Sequence, residues 1–222
     1  MRRLIERGPS PARAYREDPI LFLLTLAAAA SSIASLLLHL AGIVRMPYTL
    51  SFLTVPGVIL LLCIRIWAGR AGRHEILARL QAGFVAGLLG LVAYNAARWV
   101  VGTLLAVKMS PFYSIYIFGS LITGAGEDSV AAAAFGWAYH ISNGITFGII
   151  YALLAGPARW WYGLGWGLVL ELTMLLIYPS SSILRPPSLA PFVTTSLISH
   201  ALFGAVIGIY VQWRLTRSRE AL

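Results

Sequence analysis

Two histidines in this sequence each begin the same helical pattern. His140 and His200 each precede glycines four and eight residues further along, a spacing that puts each histidine and its glycines on one helix face. With Glu171 they form a two-histidine, one-carboxylate set, which suits Zn, Fe, Mn or Cu. No HExxH motif accompanies them, so two other interpretations stay open: a pair of haem-ligating histidines, and histidines bonded to backbone carbonyls or serines.

Arg98 and Glu171 are the two formal charges deep inside apolar runs. Ionisable groups in hydrocarbon are costly and are therefore functional-site candidates by default. At about 1.5 Å per helical residue, both lie about 10–12 Å from the outer ends of their predicted helices. Their equal depth and opposite sign favour a structural ion pair. The alternative is that Arg98 binds an anionic group while Glu171 relays protons or binds a cation.

The predicted ligand-binding set adds the two histidines and two asparagines to these charges. It comprises Arg98, Asn95, His140, Asn143, Glu171 and His200. In the metal interpretation, the ligands are His140, Glu171 and His200. The sequence contains no GxSxG motif, no Walker A motif and no GxGxxG after a strand. Binding of a small solute, ion or metal, in transport or in an accessory role, is therefore favoured over catalysis.

The composition places these residues in a membrane protein. Of 222 residues, 59% are hydrophobic and 11% are charged, whereas soluble chains carry about 25% charge. A soluble fold of this size could not cover its surface with so few charges, so we predict an all-α, multi-pass membrane protein. The net charge of +9 then indicates membrane topology and not a nucleic-acid partner. The single cysteine, Cys63, cannot close an intramolecular disulfide.

Six apolar runs are close to or longer than the roughly 20 residues that a spanning helix needs. They cover residues 20–43, 49–67, 79–106, 129–155, 160–178 and 191–213. A seventh run, 111–125, is too short to span a membrane, and its length fits a re-entrant or interfacial helix. The basic segment before the first run contains a predicted surface helix over about 11–18.

Lysine and arginine determine the predicted orientation. With the N-terminus inside, thirteen of the seventeen basic residues fall in cytoplasmic segments, so both termini are predicted to be cytoplasmic. We expect a protein of the bacterial cytoplasmic (inner) membrane whose basic face contacts anionic lipid headgroups. The predicted site lies in the outer half of this membrane, because its members are nearer the outer ends of their helices.

The third and fourth predicted spans resemble the fifth and sixth, as two copies of one hairpin in the same orientation. Two features match: the glycine steps Gly83/Gly87 and Gly163/Gly167, and the GLV segments 90–92 and 167–169. Parallel repeats of this kind occur in transporters. The alternative is that glycine rows at four-residue spacing only pack helices, within the chain, against partner helices or in a homo-oligomer.

The chain accordingly divides into four segments. These are a cytoplasmic basic N-terminal segment (1–18), an added two-helix hairpin (19–77), a four-helix repeat bundle (78–214) and a cytoplasmic tail (215–222). The first two spans have no counterpart in the repeat, so the polar pocket is predicted to lie between the third to sixth spans.

Three segments carry a family resemblance: AGFVAGLLG, YHISNGITFGIIYALL, and a Pro-containing loop followed by SHALFGAVIGIY. Through them, residues 78–213 resemble uncharacterised Gly-rich bacterial multi-pass inner-membrane protein families, which have no settled activity to transfer. Size and helix count are also similar to the substrate-binding component of energy-coupling-factor vitamin transporters. Two rival hypotheses remain: a membrane metalloenzyme or haem protein that uses His140 and His200, and a structural or assembly subunit whose glycine faces bind partner helices.

Overall fold

The computed structural model describes residues 12–105, 110–177 and 189–220. These residues are mostly helical and, within the described ranges, contain no strand, which confirms the all-α prediction. The elements are α1 (Ala12–Glu17), α2 (Pro19–Leu40), α3 (Met46–Thr49), a π-helical turn (Leu50–Thr54), α4 (Val55–Arg70), α5 (His74–Leu104), α6 (Tyr113–Thr123), α7 (Val130–Ala155), α8 (Trp161–Ile177) and α9 (Leu189–Glu220). The predicted surface helix corresponds to α1, and the predicted short helix over 111–125 corresponds to α6.

Five helices in the described part of the chain are long and apolar enough to cross a membrane. They are α2, the continuous helix Met46–Arg70, α5, α7 and the Ala190–Ser218 part of α9. α8, which corresponds to the fifth predicted span, has 17 residues, and the last residue of that predicted span lies outside the described residues. α6 has only 11 residues, too few for a spanning helix.

Proline explains the irregular stretch between α3 and α4. Pro56 has no amide hydrogen, and its ring clashes with the carbonyl group one turn earlier, so a regular α-helix cannot pass through it unchanged. The π-helical turn Leu50–Thr54 lies just before Pro56 and absorbs this distortion. α3 and α4 therefore form one continuous helix of membrane length.

Side-chain caps and a glycine define several helix ends. Asp18 Oδ1 accepts a hydrogen bond from the amide of Leu21 at 3.0 Å, and Ser129 Oγ accepts one from the amide of Ala132 at 3.0 Å. These bonds satisfy free amide donors at the starts of α2 and α7. α6 is capped at its C-terminal end by Gly124, whose φ of +72° is the left-handed conformation that favours glycine. The chain can therefore turn directly from α6 into α7.

α5 is the central helix of the bundle. It packs against both α7 and α9, and α8 packs against α9. α6 and α2 pack against α7, and α4 packs against α2. α7 and α8, in contrast, make few direct contacts. The helix pairs α5–α7 and α8–α9 are therefore joined through the contact between α5 and α9. A space remains between α7 and α8.

Glycines bring α5 and α7 into backbone contact. A Cβ atom on Gly83 would lie 2.7 Å from the carbonyl oxygen of Gly148. A Cβ atom on Gly87 would lie 2.5 Å from the carbonyl oxygen of Gly144. Neither position has room for a side chain, so these glycines set the separation of the two helices, as glycine rows do in membrane proteins.

α8 and α9 meet through a second set of glycines in the same antiparallel manner. A Cβ atom on Gly208 would lie 3.0 Å from the Cα of Gly163. A Cβ atom on Gly204 would lie 2.8 Å from the amide nitrogen of Gly167. Both glycine rows are therefore occupied by contacts within the chain.

The glycine contacts also define how the two helix pairs correspond. The steps at 83/87 and 163/167 occupy equivalent positions, eighty residues apart, so Glu171 takes the position that Leu91 has in α5. Gly90 instead faces α9. The predicted match between the GLV segments is therefore wrong in register, because these segments are only 77 residues apart.

Arg79 is a buried charge at the predicted cytoplasmic end of the third span. Its side chain is fully buried. Nη1 donates to the carbonyl oxygens of Leu153 at 2.6 Å and Ala152 at 3.4 Å, and Nη2 lies 2.7 Å from Glu75 Oε1. These carbonyls belong to the last turn of α7, so Arg79 caps the negative end of that helix.

We expect Arg79→Gln to lower the free energy of unfolding by about 2 kcal/mol, the value of a favourable buried cation at a helix C-terminus. A glutamine amide cannot serve both α7 carbonyls and the carboxylate of Glu75. Thermal unfolding in detergent micelles, followed by circular dichroism, measures the loss. Arg70→Gln, at an exposed position, is the control. Equal stability of the two variants would contradict the capping role.

Candidate functional site

A cavity of about 120 Å³ lies in the space between α7 and α8. Most of its wall is apolar. Its polar wall residues come from five helices: Tyr94, Arg98, Ser114, His140, Asn143, Thr173 and His200. Four of the six predicted site residues thus line one cavity. The other two lie behind them, since Glu171 contacts His200 and Asn95 contacts His140.

α2 closes one side of this cavity, which differs from the prediction of a pocket between the third to sixth spans alone. Its contribution is Ile33, Leu36, Leu37 and Leu40. Ser32 on the same helix donates to Asn143 Oδ1 at 2.6 Å, and the Tyr139 hydroxyl donates to the carbonyl oxygen of Ser32 at 3.0 Å. These bonds hold α2 against α7, so α2 acts as the apolar wall opposite the polar residues.

His200 is fixed by a carboxylate from α8. Its Nδ1 lies 2.8 Å from Glu171 Oε2 and 3.0 Å from the carbonyl oxygen of Ser196. Both neighbours are acceptors, so Nδ1 must carry the hydrogen. Ser196 Oγ donates to the same Glu171 oxygen at 2.6 Å. Nε2 of His200 is consequently the ring nitrogen available to a ligand, and it is an acceptor in the neutral imidazole.

Glu171 itself is fully buried and does not line the cavity. Its Oε2 receives the bonds from His200 and Ser196, whereas its Oε1 has no hydrogen-bond partner among the described residues. The carboxylate therefore acts on the cavity through the imidazole ring, as a positioning group.

Tyr94 lies between the two histidines. Its ring centroid is 4.9 Å from that of His200 and 5.6 Å from that of His140. Its hydroxyl accepts a hydrogen bond from Arg98 Nη1 at 2.9 Å. The two histidines that the sequence pairs by spacing therefore converge on one tyrosine, and the same tyrosine links them to the arginine.

Arg98 is a buried cation at the cavity wall. Besides Tyr94, it bonds the carbonyl oxygen of Pro111 through Nε, and its guanidinium carbon lies 5.5 Å from the ring centroid of Phe192. Among the residues that the structure describes, no carboxylate lies at ion-pair distance from it. The predicted Arg98–Glu171 ion pair is therefore not formed, because Glu171 faces His200.

His140 has a different environment from His200. Its Nε2 lies 3.1 Å from Asn95 Oδ1, and its ring packs edge-on against Trp137. The position on α5 that corresponds to Glu171 is Leu91, so His140 has no equivalent carboxylate. Of the predicted metal ligands, only His200 and Glu171 contact each other. Within 12–105, 110–177 and 189–220, no group of three His, Cys, Asp or Glu side chains is arranged to hold a metal ion.

Comparison with known proteins identifies the family. A protein-family model described as a family of unknown function, DUF6789, matches residues 77–221. The chain belongs to the DUF6789 family. No curated protein and no solved structure matches the chain.

The DUF6789 match begins in the first turn of α5 and covers the rest of α5 and all of α6 to α9. All six predicted site residues lie inside it, as do Tyr94 and Ser196. The four α2 residues of the apolar wall lie outside it. In this member of the DUF6789 family, the polar part of the cavity therefore comes from the matched region, and α2 is supplied from the preceding part of the chain.

The predicted set lacks the cavity-wall residues Ser114 and Thr173, and it lacks Tyr94 and Ser196, which contact Arg98 and His200. Tyr94 precedes Arg98 by four residues, and Ser196 precedes His200 by four residues. Residues at this spacing are neighbours on a helix. Searching one turn to either side of each buried charged or histidine residue would have found both.

Proposed function

We propose that this protein crosses the bacterial cytoplasmic membrane six times, with both termini in the cytoplasm, and binds a small solute in the cavity between α2 and α5–α9. The solute has an anionic head and a compact apolar body. The observation that carries this proposal is the buried Arg98, a cation at the cavity wall without a carboxylate partner among the described residues. A site of this kind can act either in transport or in accessory binding of the solute.

The six-helix topology is supported by the packing of α8. This helix lies antiparallel along α9, with glycine contacts at one end and the Glu171–His200 contact further along. An apolar helix in that position lies alongside a helix of membrane length. The distribution of basic residues supports the orientation, because cytoplasmic segments of membrane proteins are enriched in Lys and Arg.

An anion satisfies the unbalanced charge of Arg98. A buried charge is strongly unfavourable unless it is paired. Arg98 uses Nε and Nη1 within the chain and has no described partner for Nη2. A carboxylate accepting from Nη2 would receive a charge-assisted hydrogen bond, which is among the strongest in proteins. His200 and His140 line the same cavity and can bind a further polar atom of the solute.

The apolar wall and the volume limit the rest of the solute. A dry apolar cavity of about 150 Å³ holds benzene, and this cavity measures about 120 Å³. The body of the solute is therefore about the size of a benzene ring or smaller. Benzoate, cyclohexanecarboxylate and isobutyrate span this range and serve as probes.

We expect purified protein in nanodiscs to bind at least one of these carboxylates more tightly than the corresponding uncharged amide. Isothermal titration calorimetry measures both. Arg98→Gln should weaken carboxylate binding about tenfold or more, since a hydrogen bond to a charged group contributes about 1.5–3 kcal/mol. Arg98→Lys should retain part of the affinity, because it keeps the charge but loses the fork geometry.

Arg70→Gln is the matched control and should bind as the wild type does, since Arg70 is exposed and outside the cavity. Circular dichroism establishes that each variant is folded. Equal affinity for every carboxylate and its amide would refute an anion site at Arg98. Equal losses in Arg98→Gln and Arg70→Gln would show that overall charge, and not the cavity, is responsible.

A further inference from the structure

A second and larger concavity lies on the side of the helix bundle. It is an open groove of about 770 Å³ between α4, α5, α7 and α9. It shares no lining residue with the cavity around Arg98. The proposed solute does not occupy this groove, so the groove has a ligand of its own to be inferred.

The walls of the groove are suited to hydrocarbon. Apolar side chains from three helices line it, and several are exposed, among them Leu62, Phe84 and Ile141. Along α7 the lining runs from Ala138 to Ile149, which is about 16 Å of helix. All four helices that form the groove belong to the membrane-length set. The groove therefore opens sideways to the lipid.

One end of the groove is polar and basic. Arg65, Gln81, Tyr210 and Arg214 line it. Arg65 lies near the end of α4, Gln81 near the start of α5, and Arg214 beyond Tyr210 towards the end of α9. These positions lie at the predicted cytoplasmic ends of their helices. The polar groups are thus gathered where phospholipid headgroups meet the protein.

The charges at this end are unbalanced. No acidic residue is among the described residues that line the groove. Arg214 donates to Ser218 Oγ at 2.7 Å through Nη1, a neutral partner that leaves its charge uncompensated. Arg65 is exposed and has no ion pair with a described residue. Two guanidinium groups flanked by an amide and a phenol are a set of donors suited to phosphate oxygens.

We propose that this groove binds one anionic phospholipid of the cytoplasmic leaflet. Its phosphate lies between Arg65 and Arg214, and an acyl chain lies along α7. The apolar walls favour a lipid over soluble phosphate, because free phosphate would leave them uncovered. The two arginines favour an anionic headgroup over a zwitterionic one, since basic residues near the membrane surface attract anionic lipids.

The test compares two double variants with the same change in net charge. Arg65→Gln/Arg214→Gln removes both arginines of the groove. Arg70→Gln/Arg217→Gln removes one arginine from each of the same helices, outside the groove. Each protein is exchanged into detergent containing equal amounts of dioleoyl phosphatidylglycerol and dioleoyl phosphatidylcholine, and native mass spectrometry counts the lipids that remain bound.

We expect wild-type protein to retain one phosphatidylglycerol in preference to phosphatidylcholine. The groove variant should lose about thirtyfold in apparent affinity for phosphatidylglycerol, whereas the Arg70/Arg217 variant should bind as the wild type does. Arg65, Arg70 and Arg217 are exposed and Arg214 is half-buried, and circular dichroism verifies that both variants are folded.

Three outcomes would overturn the proposal. Equal retention of the two lipids by the wild type would exclude headgroup selection. Equal losses in the two double variants would show that overall charge attracts the lipid. Displacement of phosphatidylglycerol by millimolar inorganic phosphate would show that the arginines form a phosphate site without a role for the acyl chain.

Discussion

Replacement of His200 by leucine should lower the free energy of unfolding by about 3–5 kcal/mol, the cost of leaving a buried carboxylate without its partner. Glu171 is fully buried, and His200 Nδ1 at 2.8 Å is its ionisable partner. Without the imidazole, the hydrogen bond from Ser196 is the one that Glu171 retains among the described residues. Chemical unfolding of the purified protein in micelles, followed by circular dichroism, measures the loss.

The double variant Glu171→Leu/His200→Leu should recover most of that stability. Replacing a buried polar pair by apolar residues is often neutral or stabilising, and leucine already occupies the equivalent position in α5, as Leu91. His74→Leu, at an exposed histidine, is the control for loss of a histidine. A double variant as unstable as His200→Leu alone would show that packing of the imidazole ring, and not the stranded carboxylate, causes the loss.

Gly167→Ala should destabilise the protein by about 3 kcal/mol, at the upper end of the range for overpacking. The added Cβ would overlap the carbonyl oxygen of His200 and would lie 3.1 Å from the Cα of Gly204. Both are backbone atoms, so relief requires α8 to move away from α9. That movement would also lengthen the Glu171–His200 contact, and solute binding should weaken together with stability.

Gly165→Ala is the matched control for this prediction. It lies on the same helix, and no atom lies within 4 Å of a Cβ added there. Since alanine is a better helix former than glycine, Gly165→Ala should be neutral or slightly stabilising. Equal unfolding midpoints for the two variants would mean that the α8–α9 interface tolerates a methyl group and that glycine contact does not set the helix separation.

The sequence alone determined the class of the protein and predicted most of the residues of its candidate site. Few charges and long apolar runs require a lipid environment, so the all-helical membrane class follows from composition and run length. Helical periodicity then placed His140 and His200 on the glycine faces of their helices. Arg98, His140, Asn143 and His200 all line the same cavity, because polar residues in lipid-embedded helices turn towards the protein interior.

Only the tertiary structure decided which of these residues contact each other. Depth along a helix is one coordinate of a side chain, and the rotation of the helix about its axis and its choice of neighbour are the others. Arg98 and Glu171 have equal predicted depth, yet Glu171 faces His200 on α9 while Arg98 bonds Tyr94 and Pro111. Opposite charges at one depth therefore did not suffice to predict an ion pair.

The boundary of the cavity was likewise a matter of tertiary structure. Four apolar residues of α2 carry no pattern that distinguishes them from lipid-facing residues, and they become a cavity wall only because α7 and α8 stand apart. The separation follows from backbone contacts, since glycine rows bind α5 to α7 and α8 to α9. Glycine spacing can be recognised in a sequence, but the partner of each glycine row is chosen by the fit of whole helices, which no local pattern encodes.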